Sequence, residues 1–220
     1  MPQTQHNRES QTRRLSRDGR FRPFASTLRR VSGAQGYGGN GHIASANSPL
    51  PGLMESLREF ENAGVPADRV VVGIPWYGYD YHCDAGADAN KTGAICNATF
   101  GSKQGAPQIA YSRAVKLLNA STTGLMFNST TVSAWFDYTC TNTSVTAGCK
   151  GLGRHQVHFD TNHTLTLKQQ ALRAAGARGV AWWNTGSVDY GTADRQAEIM
   201  WDATSAFAGP RAAPAPLPPV

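Results

Sequence analysis

Two short apolar runs constrain this chain more than anything else in it: residues 70–75 (VVVGIP) and 179–183 (GVAWW). Neither alternates polar with apolar residues, so each reads as a strand covered on both faces, as in a parallel sheet. Helical patterns flank them. Residues 50–64 place Leu53, Leu57, Phe60 and Ala63 at helical spacing, and Gly64 and Pro66 stop the pattern. Residues 112–119, with Ser112 as N-cap, 165–175 and 192–207 also read as helices. In the last of these Ala193, Ala197, Met200 and Trp201 share a side, and Asp194, Glu198 and Asp202 form a solvent-facing row. Between the two runs, residues 132–138 and 156–159 read as strands of a small α+β insertion spanning about 84–160. The order helix, strand, insertion, helix, strand, helix argues for an α/β fold with parallel strands and crossover helices.

Charge divides the chain unevenly. Residues 1–30 hold eight arginines against Glu9 and Asp18, while the remainder has 13 basic and 13 acidic residues. The pI therefore describes an arm, not a domain. Residues 1–42 are polar, lack any period and are expected to be disordered. Salt-sensitive nucleic-acid binding by this arm is one alternative, but no aromatic interleaving or binding motif accompanies the charge. Residues 209–220 (GPRAAPAPLPPV) read as an extended proline-rich tail. No apolar run is long enough for a membrane span, and the first 30 residues contain no leader-type apolar stretch.

Six Asn-x-Ser/Thr sequons occur within 73 residues, at Asn90, Asn97, Asn119, Asn128, Asn142 and Asn162. Glycans are bulky and polar, so these positions are expected on surface loops. The four cysteines fall into two local pairs, Cys83 with Cys96 and Cys140 with Cys149, each around a loop of small and polar residues. Such loops gain from covalent closure; four free thiols is the alternative. The spacings fit no metal site, and His155 and His158 belong on opposite faces of a strand. Sequons and disulfides together point to an oxidising, lysosomal or secreted compartment.

Three stretches carry a resemblance: ASANSPL followed by VVVGIPWYGYDYHC, then HQVHFDTNHTLTLKQQAL, then GVAWWNTGSVDY. Together they resemble the glycoside hydrolase family 18 barrel and its chitobiase-like branch, over about residues 43–207. What the resemblance implies is the C-terminal portion of a (β/α)8 barrel carrying the insertion. A full barrel takes about 250 residues, so the 165 matching residues hold an incomplete one. The implied partner is an oligosaccharide containing N-acetylglucosamine, with no cofactor or metal, no nucleic acid or membrane, and a monomeric chain.

The family's catalytic signature is Asp-x-x-Asp-x-Asp-x-Glu, in which the Glu protonates the leaving oxygen and the preceding Asp orients the substrate's acetamido group. None of the fifteen acids stands in this spacing. No catalytic residue is therefore assigned, and the chain is expected to be inactive and poorly stable. The resemblance places Trp183 beneath the reacting sugar, where an indole covers the C–H face of a pyranose; Trp182 then points into the core. Tyr77 matches a tyrosine lining the site. Tyr79 stands where many family chitinases carry arginine, and chitobiase-like members share the tyrosine; for both tyrosines the alternative is a half-buried aromatic on a barrel rim. Asn184 is a weaker candidate. Asp160 reads as structural. A non-catalytic, lectin-like protein that keeps the aromatic wall is the main alternative to a hydrolase.

Overall fold

A computed structural model describes residues 43–83, 89–98, 106–191 and 195–208. The expected basic arm, the proline-rich tail, Asp84, Asp88 and Asp194 lie outside the described residues. Along the chain the elements are α1 (Leu50–Asn62), β1 (Val71–Pro75), β2 (Tyr77–His82), β3 (Gln108–Ala110), α2 (Tyr111–Leu118), β4 (Met126–Asn128), β5 (Ser133–Cys140), β6 (Gly153–Phe159), α3 (Asn162–Ala174), β7 (Gly179–Trp183) and α4 (Gln196–Ala208).

The two apolar runs pair with each other. β1 lies parallel to β7, in register from Val71 opposite Gly179 to Pro75 opposite Trp183. Helices α3 and α4 pack together, and Gln169 on α3 donates its Nε2 to the Ala203 carbonyl on α4 at 2.6 Å. Cover on both faces, expected from the apolar runs, is not what forms. Val72, Ile74, Val180 and Trp182 pack on the core, whereas Val71, Gly73, Ala181 and Trp183 are exposed. The burial alternates although the residue types do not, because the uncovered side chains are themselves small or apolar.

After β1 the chain turns through Trp76, which is 1% exposed and wedged between the rings of Trp182 and Trp201. It then enters a five-stranded sheet of order β3-β2-β6-β5-β4, with every neighbouring pair antiparallel. The insertion's sheet thus begins at Tyr77, not near residue 84. The period-two alternation of Tyr77, Tyr79 and Tyr81 with Gly78, Asp80 and His82 carries that strand. One face of the sheet holds Ile109, Ala134, Phe136, Tyr138, Val157 and Phe159, and these join α2 residues Tyr111, Ala114 and Leu117 in the core. Gly78 lets β2 approach β6: a Cβ there would lie 2.6 Å from the His158 carbonyl oxygen.

Helix starts differ from expectation in three places. Ser112 lies inside α2, whose N-cap is Ala110. Helix α3 starts three residues earlier than expected, since Thr161 and Thr164 form a reciprocal capping box. Residues 192–194 lie outside the description, and the final helix begins at Gln196. Glu198 and Asp202 face solvent there, as the row of acids required.

Both disulfides form as the local pairs indicated, Cys83–Cys96 and Cys140–Cys149. Five sequon asparagines are exposed: Asn90, Asn119, Asn128, Asn142 and Asn162. Asn97 is half-buried in a bridge with Ile43, so the expectation of six surface loops fails there. Asn128 lies in β4, and Asn162 is the first residue of α3. Among the described residues, no helix is long and apolar enough to cross a membrane, and no group of three His, Cys, Asp or Glu side chains is placed to hold a metal ion.

Candidate functional site

The C-terminal ends of the parallel strands bring the candidate aromatic residues together. Trp76 donates its backbone N–H to the Trp183 carbonyl at 2.8 Å, which sets Tyr77 one residue from the end of β7. Strand alternation turns Trp182 toward Trp76, with centroids 5.3 Å apart, and leaves Trp183 68% exposed. Asn184 is exposed beside it, across a cis peptide bond. Tyr77 and Tyr79 are half-buried, with rings edge to face at 5.8 Å. Asn47 donates its Nδ2 to the Tyr77 carbonyl at 3.0 Å and anchors the segment from the side. Trp183 thus ends β7 with Asn184 following it, and Tyr77 opens β2 just past the end of β1, with Tyr79 two residues further along that strand.

Asp160 lies at the end of β6 and holds that region together. Its Oδ1 accepts from Lys168 Nζ at 2.5 Å and Thr164 Oγ1 at 2.8 Å, while its Oδ2 accepts from Ser48 Oγ at 2.8 Å. Burial pushes the Lys168 ammonium below its ordinary range, and Asp160 opposes that shift. The structural reading of Asp160 follows from this geometry.

Two further buried polar clusters sit on opposite faces of the five-stranded sheet. On the core face, Tyr138 donates its hydroxyl to Asp80 Oδ2 at 2.7 Å, and His155 Nδ1 lies 2.9 Å from Asp80 Oδ1. Burial, reinforced by Asp80, pushes the Tyr138 hydroxyl far above its ordinary value. On the other face, Asp137 accepts from Arg154 Nε and Gln156 Nε2, each at 2.9 Å, and His158 Nε2 lies 2.9 Å from Gln156 Oε1. Burial pushes the His158 imidazolium down to about 4, with Asp137 opposing the shift. Sequence reasoning weighed Asp80 only as a member of the four-spaced row Asp80, Asp84 and Asp88, which no Glu follows, and passed over Asp137, Arg154 and Gln156. Their only signal was a polar residue within each otherwise strand-like segment, and the partners lie on different strands.

These clusters decide what the described acids can do. Asp137 and Asp160 each have both carboxylate oxygens engaged by donors, and Asp80 accepts from the Tyr138 hydroxyl on one oxygen and lies against His155 Nδ1 on the other. The remaining described acids are exposed. Asp189, the nearest of them in sequence to Trp183, accepts from the Gly191 N–H at 2.8 Å within its own turn. What the site offers a ligand is flat aromatic surface and neutral hydrogen-bonding tips.

The chain is 30% identical to a di-N-acetylchitobiase of Rattus norvegicus over 172 residues, covering 73% of this chain and 43% of the relative. That similarity is to the chitobiase-like branch of glycoside hydrolase family 18. The chain spans less than half the length of that curated relative. A class V chitinase from Nicotiana tobaccum, solved in complex with NAG4, shares the fold with a TM-score of 0.55 at 19% identity, over 76% of this chain and 44% of that one. A chitinase-like agglutinin from Robinia pseudoacacia superimposes with a TM-score of 0.53 at 18% identity, over 75% and 42%. No family model matches the chain.

Proposed function

We propose that these residues form the sugar-holding part of a chitobiase-like glycosidase, with an N-acetylglucosamine oligosaccharide as its ligand. The observation that carries the reading is Trp183, an indole 68% exposed at the C-terminal end of a parallel strand. Val71, Gly73 and Ala181 on the same strand face are exposed as well; what sets Trp183 apart is a flat indole at the C-terminal end of the strand, where barrel sites lie and where it can cover a pyranose face. The same strand pair supports reading the chain as a portion of a barrel. Val71, Gly73, Ala181 and Trp183 form the face that a complete barrel would turn inward.

A stacked indole orients a sugar but does not protonate a leaving oxygen. With no family signature in the 220 residues, and with every buried described carboxylate held in polar contacts on both oxygens, this chain binds without hydrolysing. Its disulfides and exposed sequon asparagines support a glycosylated protein of a lysosomal or secreted compartment.

The test is calorimetric titration of the purified chain with N-acetylglucosamine tetramer, alongside an assay for release of N-acetylglucosamine. Binding that is lost in Trp183→Ala, with no release, is expected. Turnover by the unsubstituted chain would overturn the division between holding and cleaving. A lectin-like role is the second reading, favoured by the fold shared with the Robinia agglutinin. A transcript whose upstream codons encode Asp-x-x-Asp-x-Asp-x-Glu in frame would reject it.

A further inference from the structure

On the face of the five-stranded sheet that carries Tyr77 and Tyr79, register places Tyr79 opposite His158, His158 opposite Trp135, and Trp135 opposite Met126. These four side chains form a line across four strands. With strands about 4.8 Å apart, it reaches about 10 Å from Tyr79 to Trp135. Trp135 stands out on β5. Ser133, Ala134, Phe136, Asp137 and Tyr138 are all buried, and Trp135 among them is only half-buried. Met126 beyond it is 39% exposed.

Hydrogen-bond logic fixes the ring beneath Trp135. Asp137 is an acceptor, so the Gln156 amide must turn its NH2 toward it, leaving Oε1 toward His158. His158 must then carry its proton on Nε2. That tautomer leaves Nδ1 an acceptor, and it is buried without a partner among the described residues. Arg154 pairs with Asp137 at the far end, so a chain of buried contacts from Arg154 to His158 holds one neutral imidazole in one orientation. Trp135 lies against that imidazole with centroids 6.3 Å apart and planes 21° apart. Tyr81 meets the same imidazole edge to face, with centroids 5.7 Å apart.

We propose that Trp135 is a second stacking platform for the oligosaccharide, positioned by the Arg154–Asp137–Gln156–His158 chain and separated from Trp183 by Tyr77 and Tyr79. A line of flat rings without an exposed charge suits a neutral sugar chain longer than one residue. The charges of Arg154 and Asp137 are buried and paired, so they fix geometry without selecting an ionic ligand. The inference rests on the sugar-binding reading of Trp183, and the experiment separates the two.

The full chain, labelled with 15N, is titrated with N-acetylglucosamine tetramer, and the indole N–H signals are followed by NMR. Trp135 and Trp183 are assigned with Trp135→Phe and Trp183→Phe. Shifts at both signals, and binding weakened about tenfold in folded Trp135→Ala, are expected. A shift at Trp183 alone, with unaltered affinity in Trp135→Ala, overturns the second platform and leaves the first. No shift anywhere overturns both. Should Trp135→Ala fail to fold by circular dichroism, the indole signals of the unsubstituted chain decide. Gln156→Leu, which releases His158 without touching Trp135, should weaken tetramer binding while leaving affinity for the monosaccharide unchanged; equal loss for both ligands contradicts the positioning role.

Discussion

Lys168 and Asp160 meet at 2.5 Å with side chains 0% and 2% exposed, joining helix α3 to the end of β6. Removing one partner strands a buried charge, at a cost of about 3–5 kcal/mol. Lys168→Met and Asp160→Ala should each lower stability by that order in urea unfolding. The double substitution Asp160→Leu with Lys168→Met should cost clearly less than the two singles combined. Additive losses would show that the two side chains act separately.

His158 makes stability depend on pH. Its folded value is about 4, against 6.5 for the ordinary side chain. Between these values the unfolded chain binds the extra proton more tightly than the folded one. Stability is therefore fully present above about pH 6.5 and falls as the pH drops toward 4, by on the order of 3 kcal/mol. Urea midpoints at pH 7, 5.5 and 4 measure this. His158→Phe should flatten that slope, and an unchanged slope would assign the acid sensitivity elsewhere.

How much of this was legible in the sequence differs between the two sheets. The β1–β7 pair was readable because each strand is a continuous apolar run, and such runs find each other in a parallel sheet. Trp183 and Trp182 took opposite sides by alternation alone. The exposure of Val71 and Ala181 was not legible, since a covered face and an uncovered face carry the same residue types here. β2 was missed as a strand because its polar positions, Asp80 and His82, are satisfied by side chains and carbonyls brought from β5, β6 and the preceding turn. The Asp137 cluster was hidden for the same reason: sequence shows a polar residue but not its partner. Trp135 showed nothing to separate it from a core tryptophan until the half-burial of that one position on β5 was visible.

Gly78 separates Tyr77 from Tyr79 and is the point where β2 comes closest to β6. An added methyl would meet the His158 carbonyl oxygen at 2.6 Å and Phe159 Cβ at 2.8 Å, both too near and neither able to swing away. Gly78→Ala should destabilise by about 1–3 kcal/mol through displaced strands. Because Tyr77 and Tyr79 ride on the same strand, tetramer binding should weaken as well. A stable, fully binding Gly78→Ala would mean that the sheet separates without moving either tyrosine.

The Cys83–Cys96 bridge closes a 13-residue separation, and both cysteines are buried with Ala44, Tyr81 and Ala98 in a small cluster apart from the main core. So few apolar side chains supply little hydrophobic stabilisation, and the bridge limits the disorder of the unfolded loop, an effect worth about 2–4 kcal/mol. Cys83→Ser with Cys96→Ser should lower the melting temperature and expose residues 89–98 to proteolysis before the rest unfolds. The Cys140–Cys149 loop has an additional clamp, since Arg113 donates to the carbonyls of Val145 and Ala147. Its serine pair should therefore lose less, and Arg113→Ala added to that pair should remove the difference. Equal losses for the two serine pairs, unaffected by Arg113→Ala, would show that the arginine contributes nothing to holding the second loop.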